Sequence, residues 1–235
     1  MNSKNREKLI VALDLPTIEQ AEKLVDQLGD SVSFYKIGLS LMPVGGFSLA
    51  QKLKQAGKQV FLDLKLFDIG HTVENTIKSL NYLDIDFLTV HGDPQIVRAA
   101  SNAINNSDIK ILAVTLLTSL DRKDLTESLI KPGNITDLVV ERAKTAFIAG
   151  ADGVIASPNE VSKIRQLSES KERLIVTPGI RIKLEQDGDQ KRISDPMTAY
   201  KNGSDYIVVG RPIVNSQNPV EEVKKFTFLN NFEIT

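Results

Sequence analysis

Short apolar runs rich in Val, Ile and Leu recur along the chain, each followed by a polar turn and then by a segment of helical period. The runs cover residues 9–13, 34–38, 60–64, 87–90, 111–116, 153–156, 174–177 and 206–209. Most are apolar nearly throughout rather than alternating, the signature of a parallel strand buried on both faces. The intervening segments, 17–28, 47–56, 73–82, 94–104, 136–149, 159–167, 195–202 and 219–228, have the spacing of amphipathic helices. In the first of them Ile18, Ala21, Leu24, Val25 and Leu28 fall on one side, and Gly29 punctuates its end. Strict alternation with short connections demands crossover helices and a parallel sheet, and eight units are the number that closes into a (β/α)8 TIM barrel of class α/β. The structural rival is an open doubly wound sheet, which often carries a Gly-rich first turn; no G-x-G-x-x-G occurs here. No Pro/Gly/Ser-rich linker divides the chain, so residues 1–235 read as one domain.

Composition narrows the function classes. The chain carries 29 Lys+Arg and 30 Asp+Glu, a formal charge of −1, which argues against a partner that needs a basic face, whether nucleic acid or an anionic membrane. Hydrophobic residues at 41% and charged residues at 25% match globular usage and argue against a disordered or fibrous chain. The absence of cysteine removes disulfides, thiolate metal sites and Cys nucleophiles together, and suits a reducing compartment. No stretch nears the roughly 20 apolar residues of a membrane span, and the apolar run before Asp14 is too short for a secretory signal. The expectation is a cytoplasmic protein.

Inside a barrel, charged residues within apolar runs or at their C-terminal ends need a reason. Asp14 ends LIVALD, Lys36 interrupts FYKIGL, Asp63 and Lys65 interrupt VFLDLKLF, and Asp68 follows. Asp63 and Lys65 are two apart, so on an extended strand they face the same way and share any pocket. Burying such charges is costly unless they pair, and the alternating signs permit a network. One reading is a structural ion-pair cluster plugging the barrel mouth. The other is a chemical site, which five charges at three strand ends favour.

The last strand reads YIVVGRPI, residues 206–213. Gly210 admits a ligand close to the backbone, the following turn offers N–H donors, and Arg211 brings a fixed cationic fork suited to a phosphate dianion. Barrels commonly hold phosphate on the loops after strands seven and eight. After strand seven comes the one long polar connection, 182–194, either a solvated excursion or a lid, in which Gln190 offers an amide to the same anion. His91 closes FLTVH, where it lines the pocket or packs through a hydrogen bond; His71 reads as a loop residue at the surface. Neither has a metal-ligand partner at helical spacing, and no G-x-S-x-G elbow is present.

On these residues the chain resembles the orotidine 5′-phosphate decarboxylase family, from LIVALDLP at 9–16 through VVGRPI at 208–213. The most specific element is D-x-K-x-x-D within FLDLKLFDIGHTV, residues 61–73, supported by YKIGL at 35–39, LLTS at 116–119 and TPGIR at 177–181. The resemblance implies decarboxylation of a nucleotide substrate, orotidine 5′-monophosphate, to UMP without cofactor or metal. It implies a charged tetrad of Lys36, Asp63, Lys65 and Asp68, with Lys65 the proton donor. It also implies a homodimer in which Asp68 and Thr72 serve the neighbouring active site. Asp14 with Lys36 would hold ribose hydroxyls, Thr118 would lie by the pyrimidine, and Arg181, Gln190, Gly210 and Arg211 would serve the phosphate. Gly70 and His71 stand where many members carry Pro and Asn, which bears on local loop detail rather than chemistry. Gly70 also makes the segment similar to Mg²⁺-dependent sugar-phosphate decarboxylases and hexulose-phosphate synthases. Those relatives tend to carry an acid where this chain has Lys36, and a lysine there would repel a divalent cation. A third reading, a non-catalytic phosphate-ligand binding barrel, has no need of two carboxylates around a lysine.

Overall fold

In a computed structural model, which describes residues 7–104, 107–182 and 192–227, the eight apolar runs form parallel strands that close into a barrel in chain order. They are β1 (Leu9–Ala12), β2 (Phe34–Gly38), β3 (Gln59–Leu66), β4 (Phe87–His91), β5 (Lys110–Val114), β6 (Gly153–Ile155), β7 (Leu174–Thr177) and β8 (Tyr206–Val209), with β8 pairing back onto β1. The helices are α1 (Ile18–Leu28), α2 (Gly46–Gln55), α3 (Gly70–Leu80), α4 (Pro94–Ala103), α5 (Arg122–Glu127), α6 (Ile135–Ile148), α7 (Val161–Arg165), α8 (Pro196–Lys201), α9 (Arg211–Val214) and α10 (Pro219–Thr227). This is the (β/α)8 barrel that the alternation requires, not the open sheet.

Helix starts follow local chemistry. Thr17 and Asp195 lie just outside α1 and α8 as caps, the Thr17 hydroxyl accepting from the Gln20 amide at 3.3 Å and the Asp195 carboxylate from the Thr198 amide at 2.9 Å. The eighth strand covers the expected run and stops at Val209, ahead of Pro212, which cannot donate to a ladder and lies in the first turn of α9. One expectation changes. His71 belongs to the first turn of α3, not to a loop.

The strict alternation of strand side chains builds two cores. Leu9, Val11, Tyr35, Ile37, Val60, Leu62, Leu88 and Val90 face outward to the helices. Ile10, Ala12, Phe34, Phe61, Phe87, Leu112, Val176 and Val208 fill the barrel interior. Phe87 sits at the hub of the inner layer, with ring centroids 5.0 Å from Phe34, 6.0 Å from Phe61 and 5.2 Å from Tyr206. Each such buried ring contributes roughly 1.5–3 kcal/mol by burial, and tilted or edge-on pairs add about 0.5–1.5 kcal/mol. This aromatic floor decides where polar residues can sit: two positions further along each strand, toward the C-terminal mouth.

Gly153 of β6 leaves room for that packing. A Cβ there would lie 2.7 Å from both the Leu174 carbonyl oxygen and the Leu112 side chain on the flanking strands. Gly153→Ala is therefore expected to destabilise the fold by about 1–3 kcal/mol, read as a lower denaturant midpoint with an unchanged slope. A midpoint equal to wild type would show that the barrel relaxes freely at this point.

Candidate active site

Three of the five charges singled out in the sequence continue inward-facing rows. Asp14 follows Ile10 and Ala12, Lys36 follows Phe34, and Asp63 follows Phe61. All three, with Lys65, line a cavity of about 280 Å³ at the C-terminal mouth of the barrel. Around the same cavity stand Thr118 and Ser119 after β5, Pro178, Gly179 and Arg181 after β7, and Gly210 and Arg211 after β8. Since β3 and β7 are four strands apart in an eight-strand barrel, the acid–amine cluster and the Arg181 side face each other across the opening.

At the centre of the cluster is the Asp63 carboxylate. One oxygen accepts from the Lys65 amine at 2.7 Å and from the Thr89 hydroxyl at 2.9 Å; the other lies 3.5 Å from the Lys36 amine. Lys36 in turn donates to Asp14 at 2.9 Å. Burial alone would raise the Asp63 pKa, but the Lys36 and Lys65 cations and the hydrogen bonds from Lys65 and Thr89 outweigh it, and the net direction is down. Burial alone would lower the Lys36 pKa, but the Asp63 and Asp14 carboxylates prevail, and the net direction is up. Both groups are thus held in their charged forms.

The pairing of Asp63 with Lys65 arises differently from what a regular strand would give. Between Leu62 and Leu66 β3 advances four residues while β4 advances two, from Leu88 to Val90. The excess is taken up in a bulge whose Lys65 has φ of +48°, a left-handed conformation rare for a side chain of this size. Thr89 supports the distortion from β4: its hydroxyl oxygen accepts from the Lys65 amide at 3.0 Å while its own proton goes to Asp63. Strain of this kind persists only where the surroundings fix it, and here one buried threonine holds both the backbone and the carboxylate.

Thr89 was not among the residues singled out, although a threonine in the middle of FLTVH was its visible signal. Gly38 is another. A Cβ there would meet Asp14 Oδ1 at 3.0 Å and the Lys36 amine at 3.1 Å, so the glycine clears space beside that pair.

Asp68 and Thr72 are not brought to this cavity. Both are exposed, Asp68 accepting from the Ile69 amide at 2.7 Å, with the large apolar side chains of Phe67 and Ile69, 66% and 73% exposed, on either side of it. Among the described residues, no second carboxylate comes within ion-pair distance of Lys65. His91 turns from the cavity to Asp93, with Nδ1 and Oδ2 2.7 Å apart, and packs against Phe67 at 4.6 Å between centroids. His71 is exposed beside Asn75. Gln190 and most of the connection around it lie outside the described residues. Among the described residues, no group of three or more His, Cys, Asp or Glu side chains is placed to hold a metal ion.

The family model described as Orotidine 5'-phosphate decarboxylase / HUMPS family matches residues 7–226. The chain is similar to the orotidine 5'-phosphate decarboxylase of Ruegeria pomeroyi, 58% identical over 214 residues that span 91% of this chain and 89% of the relative. It is equally similar to that of Jannaschia sp., 58% identical over 214 residues, 91% of this chain and 93% of the relative. Among solved structures, orotidine 5'-phosphate decarboxylase from Lactobacillus acidophilus superimposes with a TM-score of 0.81 at 38% identity, over 94% of this chain and 99% of that one. An uncharacterized conserved protein from Geobacillus kaustophilus gives 0.78 at 31% identity, over 93% and 97%.

The pKa directions set a pH dependence of stability. Asp63 lies below its ordinary 3.8, so its contribution is fully present above that pH and is lost as pH falls through the still lower folded value. Lys36 lies above its ordinary 10.5, so its contribution is present below that pH and is lost as pH rises through the higher folded value. The unfolding temperatures of wild type and Asp63→Asn are therefore expected to differ most near neutrality and to converge as the solution is acidified below 3.8. A gap that stays constant on acidification contradicts the assignment.

Proposed function

The chain belongs to the Orotidine 5'-phosphate decarboxylase / HUMPS family, and on that footing we propose that it decarboxylates orotidine 5′-monophosphate to UMP and CO₂ in de novo pyrimidine biosynthesis. The observation that carries this reading is the Lys65 amine, held 2.7 Å from Asp63 in a cavity that Arg211 and Gly210 also line. A cation for the reacting carbon and a dianion seat share one enclosure.

Breaking the bond between C6 and its carboxylate leaves the electron pair on C6, where no π system receives it. The charged amine of Lys65 stabilises that pair and then transfers its proton to C6, and the neutral lysine recovers a proton from solvent. Asp63, 2.7 Å away, holds the Lys65 amine aimed. Lys36 and Asp14 meet the ribose hydroxyls, Thr118 the pyrimidine, and Arg181, Gln190, Gly210 and Arg211 the phosphate. Contacts at the phosphate end exclude water and so strengthen the charge interactions around C6.

Some relatives in the superfamily act on sugar phosphates with Mg²⁺. Here the two cavity acids Asp14 and Asp63 share the Lys36 amine, 2.9 and 3.5 Å away. That cation stands between the carboxylates a divalent ion would need, which favours the nucleotide substrate and metal-free chemistry. A cysteine-free chain fits a cytoplasmic setting. No helix of the described residues is long and apolar enough to cross a membrane.

We place Asp68 and Thr72 in the active site of a second copy of the chain. Their exposure outside the cavity of their own chain, and the exposed Phe67 and Ile69 flanking Asp68, support a two-fold interface on this face.

Purified protein, free of host enzyme, is expected to remove the orotate absorbance of orotidine 5′-monophosphate at an undiminished rate in EDTA. Lys65→Ala is expected to lower kcat by roughly 10³-fold or more. Activity that EDTA abolishes, or a Lys65→Ala variant with comparable turnover, would overturn the reading. Mixing inactive Lys65→Ala with inactive Asp68→Asn, unfolding and refolding them together, should restore about a quarter of wild-type activity, because each mixed dimer has one intact site. No recovery in confirmed mixed dimers would place Asp68 outside the shared site.

A further inference from the structure

β6 has three residues, the fewest of the eight strands, and of β6 and the segment up to Glu160 only Ile155 reaches the cavity among the described residues. The cavity walls on either side are therefore supplied by strands that are not neighbours. After β5 comes the turn 117–120, whose central residues Thr118 and Ser119 line the cavity; after β7 come Pro178, Gly179 and Arg181. Arg192 spans the gap. It stands where the connection after β7 returns to the barrel, two residues before Ser194, whose backbone bonds to Arg181 at 2.9 Å and to Gly179 at 3.2 Å. Its Nη1 lies 2.9 Å from Glu160 Oε1, and its Nη2 donates to the Leu117 carbonyl at 3.1 Å. That carbonyl also accepts from the Leu120 amide at 3.1 Å, the bond that closes the turn.

This pair is a poor stabilising device. The Arg192 and Glu160 side chains are only 10% and 2% exposed, and Arg192 Nε and Glu160 Oε2 are buried without a hydrogen-bond partner among the described residues. Two charges taken out of water regain their hydration only when every donor and acceptor is met, and apolar residues of similar volume often serve stability as well or better. What the guanidinium supplies instead is direction: its rigid plane addresses two acceptors on two different loops at once.

Resting on the decarboxylase reading above, we propose that Arg192, neutralised by Glu160, is a positioning residue that holds the Thr118–Ser119 turn at a set distance from the Gly179–Arg181 wall. The ring end and the phosphate end of the nucleotide are thereby kept in register, although Arg192 itself does not touch the substrate.

The test separates positioning from stability. Arg192→Met alone leaves the Glu160 carboxylate buried and unpaired, and is expected to lower the unfolding midpoint. Arg192→Met/Glu160→Leu removes both charges and is expected to regain most of that midpoint, yet to keep kcat/KM for orotidine 5′-monophosphate about ten-fold or more below wild type, with KM raised. If the pair is merely structural, activity returns with stability, and wild-type kcat/KM in the folded double variant overturns the proposal. Should the double variant not fold, Arg192→Lys decides. It retains the ion pair but not the planar fork, and is expected to lower kcat/KM several-fold at a near-wild-type unfolding midpoint; an unchanged kcat/KM overturns the proposal equally. Wild type in the same assay is the control on the decarboxylase reading: its inactivity would refute that reading, whereas an active wild type with fully active variants refutes only the brace.

Discussion

The site depends on the shared carboxylate of Asp63. A single acid, mostly covered by protein, answers to Lys65 at 2.7 Å, Thr89 at 2.9 Å and Lys36 at 3.5 Å. Take away the acid and Lys65 loses the one carboxylate within ion-pair distance of it among the described residues, while Lys36 keeps only Asp14. Take away either amine and the acid loses part of what offsets its desolvation. Apolar residues of similar volume often serve stability as well as buried ion pairs do, which favours a role for these charges at the mouth over one in the core.

The scaffold divides this work among strands. β1, β2 and β3 supply the charges of the cluster, β4 contributes Thr89 beneath them, and β5, β7 and β8 deliver turns that close the far side of the cavity. Residues carried on strands are held by the ladder and by the packed rings of Phe34, Phe61 and Phe87 below. Residues carried on turns need bonds of their own. Arg192 makes such bonds for the β5 turn, whereas Lys65, at the end of β3, depends on a threonine of the next strand to hold its unusual backbone.

Much of this was legible before any coordinates. Eight apolar runs and their period marked the strands, and the charges that interrupted them lie in one cavity. What could not be read depended on bonds between distant residues. The bulge at Lys65 is a mismatch between two strands, and a sequence shows only one strand at a time. Counting two residues from Asp63 to Lys65 led to the right shared pocket, but by way of a regular extended strand that β3 does not keep there. Thr89 was visible as a polar residue in an apolar run, but its two partners lie 24 and 26 residues away. The role proposed for Asp68 and Thr72 rests on the family resemblance, because a charge on the outside of a barrel is ordinary until a second surface is brought to it.

The layer of rings under the charges also imposes an order of events. Phe34, Phe61 and Phe87 close the barrel from below, being 0%, 1% and 4% exposed, so traffic to and from Lys65 passes through the mouth that admits the nucleotide. In the mechanism proposed above, carbon dioxide departs by that opening, and the hydrogen ion that recharges the lysine arrives by it. On that proposal a bound product corks the amine in its spent form, and in such a vessel each turnover is reset by emptying.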